Sequence, residues 1–430
     1  MAYILCLVYV AVIYIRPGEI VPAWADVRIT QAVGAVAALS ALSSLVLRPR
    51  PFANLPIDWC FLGFCVATIL SNPANGWVGG GYAALASILP LIAFYMLIRV
   101  GVETSGQLRG LIVAVVLFTS FQAVNGIIQY HTGVGLGNTT AFLQSDIVAN
   151  DDGAIGQITR IRGTGIFNDP NDLAMSLVIV LPFLFTFTLS PESGFVRKII
   201  GLGSLGVISY ALLLTQSRGG IVGVGALSAA YFYRRFGRVA AVAIGVVVVG
   251  LFLVAGSGRL QRMESGEESA QGRIQAWAAG LEMFRARPVL GVGYGQFTEH
   301  NNLVAHNSFV HTFSELGFVG EFFLVGMFYW LIVANRSAGN LAGELASPLR
   351  LDVWASGIGV IVCICFLSRQ YSPVLYVPLA LSATRLSLER PTDDALPKSS
   401  FADWVRVLLL AVAVVGVTSV AVRLLAVWSG

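Results

Sequence analysis

The sequence is short of charge. Only 12% of its 430 residues are Asp, Glu, Lys or Arg, against the roughly 25% of a soluble domain, while 56% are hydrophobic. That balance excludes a soluble globular protein and indicates an integral membrane protein. Lysine is scarcer still: Lys198 and Lys398 are the only two, so the positive charge is carried almost wholly by arginine. No basic stripe lies on a soluble element, which argues against nucleic acid as a partner. The five cysteines, Cys6, Cys60, Cys65, Cys363 and Cys365, all fall inside apolar blocks. There cysteine behaves as a small hydrophobe, so neither a disulfide nor a metal site is expected. No positive charge precedes Arg16. Ala23-Trp24-Ala25 therefore does not read as a processing site, and a retained first helix is expected.

What is present is a series of apolar blocks near the ~20 residues needed to cross hydrocarbon as helix. They lie at 2–15, 29–47, 57–71, 82–98, 108–130, 172–189, 199–215, 219–233, 239–256, 307–333, 351–367, 372–388 and 404–428. None shows the period-two alternation of barrel strands, and a backbone in lipid must satisfy itself within the segment or in a closed barrel. The expectation is an all-α integral membrane protein, one polytopic domain over 1–430 with about twelve or thirteen transmembrane helices.

Positive charge sets the orientation. Short loops holding LRPRP (47–51), the arginines at 99–109, Arg197-Lys198, RRFGR (234–238) and Arg336 to Arg350 recur after every second span. The positive-inside rule places them in the cytoplasm. The loop 131–171 and the main loop 257–306 then lie on the far side, with the short turn around Ser217-Arg218. Those far-side segments nevertheless carry Arg160, Arg162, Arg218, Arg259, Arg262, Arg273, Arg285 and Arg287. A coding bias toward arginine, pairing with Glu264, Glu267, Glu268 and Glu282, and an anionic ligand each account for the excess. The last is chemically specific, because guanidinium binds phosphate oxygens bidentately and never loses its charge.

Four constellations could carry chemistry. Arg218 sits between two apolar runs and is followed by Gly219-Gly220, which would let backbone or ligand approach and break the helix beside the charge. An interfacial arginine that snorkels is the plain alternative. Over 272–297, Ile274, Trp277, Leu281 and Phe284 recur at helical spacing, so an amphipathic surface helix opened by Arg273 should end before Pro288. GVGYG (291–295) has the glycines of a nucleotide loop but no strand before it, and reads as a tight extended turn. In FNDPND (167–172), Asp169 and Asp172 fit a helix start, with Asp169 as cap and Pro170 at the first position, better than a metal or acid/base pair. Finally, three of the four histidines, His300, His306 and His311, fall within twelve positions at the mouth of the 307–333 span, whose first turns also carry Asn307 and Glu315. Imidazole is the side chain that titrates nearest neutrality. His306 is the favoured member, with Asn307, His311, Glu315 and Arg162 as possible supporting residues.

These motifs resemble a family. His306-Asn307 followed after nine residues by Gly317-Phe318-Val319-Gly320 is similar to the signature of bacterial O-antigen ligases and related protein O-oligosaccharyltransferases. QSRGG (216–220), Arg273 with Trp277, the following Arg-Pro-x-x-Gly-x-Gly and FNDPNDLA resemble further landmarks of that superfamily, in order over roughly 160 to 330. The resemblance implies a GT-C-like polytopic glycosyltransferase of the bacterial inner membrane, its active site facing the periplasm. Such an enzyme moves a glycan from undecaprenyl diphosphate to an acceptor hydroxyl, with inversion and with no metal or other cofactor. Carried onto this chain, His306 would be the general base, and Arg218 and Arg273 would bind the donor diphosphate. Its partners would be the lipid-linked glycan, membrane lipids, and lipid A–core as acceptor. The 257–306 loop is compact for a large acceptor platform, which puts the acceptor in doubt more than the donor. A polymerase would instead use a second lipid-linked glycan, and a protein O-oligosaccharyltransferase a serine. A polysaccharide flippase should show a charged central pathway or internal repeats with broken helices in both halves, and the sequence shows neither.

Overall fold

The structure, a computed structural model, describes residues 2–47, 55–146, 156–247, 250, 264–336, 348–389 and 399–428. Its helices are α1 (Ala2–Ile15), α2 (Ile29–Leu47), α3 (Pro56–Ser71), α4 (Val78–Gly101), α5 (Ser105–Thr132), α6 (Pro170–Leu189), α7 (Phe195–Thr215), α8 (Arg218–Phe236), α9 (Arg238–Val247), α10 (Glu264–Ala286), α11 (Ser308–Asn335), α12 (Pro348–Ile364), α13 (Val377–Glu389) and α14 (Phe401–Trp428). Each apolar block expected to span meets a helix, the 239–256 block over its described part.

The bounds of the spans need correction. Among the described residues, seven helices are long and apolar enough to cross a membrane: α3 with the turn that follows it, α4, α5, α6, α7, α11 and α14. Others fall outside that set by length or by charge. α1, α12 and α13 have 14, 17 and 13 residues, and the 372–388 block spends its start on the 3-10 turn Pro373–Tyr376. α8 carries arginines at both ends, Arg218 and then Arg234-Arg235. A second correction concerns the loop at 131–171. It holds a two-stranded antiparallel sheet, β1 (Phe142–Asp146) and β2 (Gly156–Arg160), with Phe142 opposite Arg160. The fold is thus mostly, not wholly, α-helical, as expected where backbone outside hydrocarbon is free to pair as strands.

α6 is the most enclosed of the seven spans, 78% of its apolar window being buried, whereas the corresponding window of α14 is 17% buried and lies at the periphery. α6 packs against α5, α7, α8 and α12; α11 packs against α3, α10, α12, α13 and α14. In membranes such contacts rest on close packing and paired polar groups. Arg99 of α4 shows the pairing, donating to both carboxylate oxygens of Asp58 on α3 at 2.9 and 2.7 Å, while Tyr95 donates to the same group at 2.7 Å.

α11 is interrupted one-third of the way along. Gly317 adopts φ 62, ψ −160, a conformation open essentially only to glycine. The segment 288–293 fills the break: Phe318 and Val319 N–H donate to the Pro288 and Val289 carbonyls at 2.8 and 3.1 Å, and Val292 and Gly293 N–H donate to the Ser314 and Glu315 carbonyls at 3.0 and 2.9 Å. The glycine turn expected at 291–295 is therefore present, and with residues 288–290 it docks into a broken helix. The end of α3 holds it from outside, with Asn75 Nδ2 donating to the Gly291 carbonyl at 2.9 Å and Asn72 Nδ2 to that of Tyr294 at 3.1 Å. A Cβ on Gly317 would strike the Val289 carbonyl. Gly317→Ala should therefore cost more than the ~1–3 kcal/mol of backbone strain alone, read as a lowered Tm of the purified protein. An unchanged Tm would show that the break is not fixed by this glycine.

Candidate active site

Three helices begin close together, and each begins with a short polar cap. Asp169 caps α6, its carboxylate accepting from Asn171 N–H, with Pro170 at the first helical position. Ser217 caps α8 by accepting from Gly220 N–H at 3.2 Å. Asn307 caps α11, its side-chain oxygen accepting from Phe309 and Val310 N–H at 3.0 and 3.2 Å. Such caps satisfy the free N–H groups of a first turn. The turn after α12 joins all three starts. Ser308 Oγ donates to the Leu367 carbonyl at 2.6 Å and accepts from Arg369 N–H at 2.9 Å. Arg369 Nε donates to Asp172 Oδ1 at 2.5 Å, and a Cβ on Gly219 would press on Phe366. Gly219 and Gly220 thus do not break a helix. They lie in the first turn of α8, where Gly219 faces Phe366 and Gly220 faces Ala174 of α6.

His306 stands immediately before the α11 cap with φ 48. For a residue other than glycine this left-handed backbone costs about 1–2 kcal/mol, and such strain tends to gather at functional sites. The ring is half-buried, and no hydrogen bond to it occurs among the described residues. Burial, then the Arg273 charge, with smaller effects of Arg369 and His311 against an opposing one from Asp169, hold its pKa below the ordinary histidine value. At neutral pH the imidazole is therefore uncharged and able to accept a proton.

Arg273 projects from α10, half-buried; burial and the neighbouring Arg218 charge both disfavour its cation. An arginine starts so high that it stays protonated regardless. Arg218, the first residue of α8, is exposed. The structure thus brings His306 into the field of Arg273, and Arg273 into that of Arg218. Two like charges facing each other are unfavourable, and an anion between them would relieve that repulsion. α10 reaches this position because its apolar side is covered. Trp277 Nε1 donates to the Ala305 carbonyl at 2.8 Å, Phe284 meets Phe313 of α11 edge-on, and Leu281 packs in a small core with Phe297, Val310 and Phe313, against which Val415 and Val422 of α14 rest.

His311 and Glu315 form a pair of their own. His311 Nε2 lies 3.1 Å from Glu315 Oε1. The same oxygen accepts from Phe297 N–H at 3.1 Å, and Oε2 accepts from the Tyr371 hydroxyl at 2.9 Å. Burial and this carboxylate push the Tyr371 hydroxyl well above its ordinary pKa, so it remains a donor. Arg162 donates to the Thr140 carbonyl at 2.8 Å and so ties the β-sheet loop together.

Two residues with little signal in the sequence complete the surroundings. Arg369 is engaged with Asp172 and lies 4.0 Å from Asp169. Burial works against its charge, but the pairing outweighs that and holds its pKa above the ordinary value. The two carboxylates, read from the sequence as features of a helix start, line a cavity of about 540 Å³ together with Arg369 and Tyr371. The clue in the sequence was an arginine with no lysine in the turn 365–371, which span parity places on the same side as His306. Among the described residues no group of three or more His, Cys, Asp or Glu is arranged to hold a metal ion.

The architecture defines a multi-pass, mostly helical membrane protein with a histidine and two arginines at the convergence of helix starts. Residues 203–325 match the family model described as O-antigen ligase. The matched stretch contains Arg218, Arg273 and His306 and stops before Arg369. It supports membership of that superfamily and, with the helical architecture, a membrane-associated glycan-transfer enzyme. No curated protein matches the chain.

Proposed function

We propose that this protein is an O-antigen ligase-like glycosyltransferase of the bacterial inner membrane. It transfers a glycan from undecaprenyl diphosphate to an acceptor hydroxyl of lipid A–core on the periplasmic side, where the loops 131–171 and 257–306 also lie. The observation that carries this reading is His306, held in a left-handed backbone just before α11 at one end of membrane helices, with Arg273 acting on it and Arg218 acting on Arg273.

The chemistry follows from those groups. An uncharged ring nitrogen of His306 takes the proton of the acceptor hydroxyl as its oxygen attacks the anomeric carbon. The carbon–oxygen bond to the diphosphate breaks, its electron pair leaving with the phosphate, and the configuration inverts. Negative charge grows on that phosphate, and Arg218 and Arg273 stabilise it with fixed positive charge and hydrogen-bond donors. Histidinium then loses its proton to water, and undecaprenyl diphosphate is released. A diphosphate on a lipid tail explains why these groups sit at the end of membrane helices. Asn307 fixes the backbone beside His306, and the His311–Glu315–Tyr371 chain holds the first turns of α11 to the turn after α12.

Donor binding offers a separate check. Arg218→Ala should weaken binding of undecaprenyl diphosphate by about tenfold or more, since a hydrogen bond to a charged group contributes roughly 1.5–3 kcal/mol. Titration in nanodiscs reads this, and unchanged affinity removes Arg218 from the donor site.

A further inference from the structure

The cavity beside the α6 cap has a chemistry unlike that of the arginine pair. Its lining includes Asn168, Asp169, Asp172, Arg369, Tyr371 and Ser372. Arg369 is the one cation in that lining and is already committed to Asp172. With two carboxylates against one guanidinium, the lining carries a net negative charge of one. A diphosphate, a phosphorylated sugar or a uronic acid would be disfavoured in this open hollow, because like charges brought together are costly. Hydroxyl groups would be welcome. Carboxylates accept strongly from O–H donors, and Asn168, Ser372 and the Tyr371 ring provide an amide, a hydroxyl and an apolar face of the kind a sugar ring presents its edges and faces to. The cavity also adjoins the start of α11, since Arg369 of its lining donates its N–H at 2.9 Å to the hydroxyl of Ser308, two residues after His306.

We infer that this cavity is a subsite for an uncharged, hydroxyl-bearing sugar ring, set apart by its charge from the arginine site that takes the diphosphate. The inference rests on the glycan-transfer reading and adds a selectivity to it. Neutral sugars are admitted next to His306, and anionic ones are excluded by Asp169 and Asp172. The ring could belong to the acceptor or to the first residue of the donor glycan.

Asp169→Asn is the informative variant, because asparagine caps a helix about as well as aspartate and removes only the charge. Methyl glycosides of glucose, galactose and mannose, each paired with its uronate, are titrated by saturation-transfer NMR onto the full chain in nanodiscs. At least one neutral member should bind about tenfold more tightly than its uronate. That preference should shrink about tenfold in Asp169→Asn and persist in His306→Asn. Equal binding of both members of every pair, selectivity unaffected by Asp169→Asn, or no binding by any glycoside overturns the inference. In parallel transfer assays, Asp169→Asn should raise the KM of whichever substrate seats its sugar there, with acceptor and donor varied separately. An unchanged KM for both also overturns it. Selective sugar binding without any transfer would instead sink the glycosyltransferase reading alone, and transfer without selectivity would sink this inference alone.

Discussion

His306→Asn should lower glycan transfer by about 10²–10⁴-fold, the usual contribution of a positioned base, while the folded protein keeps its Tm. Asparagine is the suitable replacement because it tolerates the left-handed backbone that His306 occupies, so activity and stability can be separated. The pH dependence has a definite sign. The folded-state pKa of His306 is lowered, chiefly by burial and by Arg273, and the reactive form is the uncharged ring. The rate should therefore climb as pH rises through that lowered value and level off at a lower pH than it would with an unperturbed histidine near 6.5. In Arg273→Ala one of the cations that depresses the pKa is gone, so the rising limb should move to higher pH. A profile still rising steeply above pH 8, or full activity in His306→Asn, would remove the imidazole from the role of base.

Arg273→Ala should produce the second large loss, about 10²–10³-fold in kcat, the scale seen when a donor to developing negative charge is deleted. Arg273→Lys should recover only part of it, because a lysine ammonium is a point charge that lacks the two-pronged geometry of guanidinium. The distinguishing readout is the division between kcat and KM. A group that stabilises the departing phosphate lowers kcat, whereas one that merely holds the lipid raises the KM of the donor. If Arg273→Ala changed only the Tm, with kcat per folded molecule preserved, the residue would be part of the packing of α10 and nothing more.

Much of this site could be read from sequence because its cues are local. Asp169-Pro170 announces a helix start by cap and fixed φ, and it forms one. Ile274, Trp277, Leu281 and Phe284 lie on α10, and the last three join an apolar core that rests on α11 and α14 instead of lying free. What escaped the sequence depends on contacts between distant segments. Gly317 looks like a small residue for helix packing, and only the insertion of 288–293 reveals it as the point where α11 breaks. Arg369 lies 63 positions beyond His306 and acquires meaning from Asp172, 197 residues upstream. The hairpin at 142–160 has strands of five residues each, too short for periodicity to separate from loop. Hydropathy also registers apolar length without regard to where a 3-10 turn shortens the helix, as at Pro373–Tyr376.

The most direct measurement offers the purified protein in proteoliposomes one defined undecaprenyl diphosphate-linked glycan, with lipid A–core, a second lipid-linked glycan and a pilin-like protein as parallel acceptors. Products are analysed by mass spectrometry and by the anomeric configuration of the new linkage. The account predicts a glycan joined to lipid A–core with inversion, together with released undecaprenyl diphosphate, and no product from His306→Asn. A lipid-linked glycan carried across the bilayer with its diphosphate bond intact, and no new glycosidic bond to any acceptor, would contradict it.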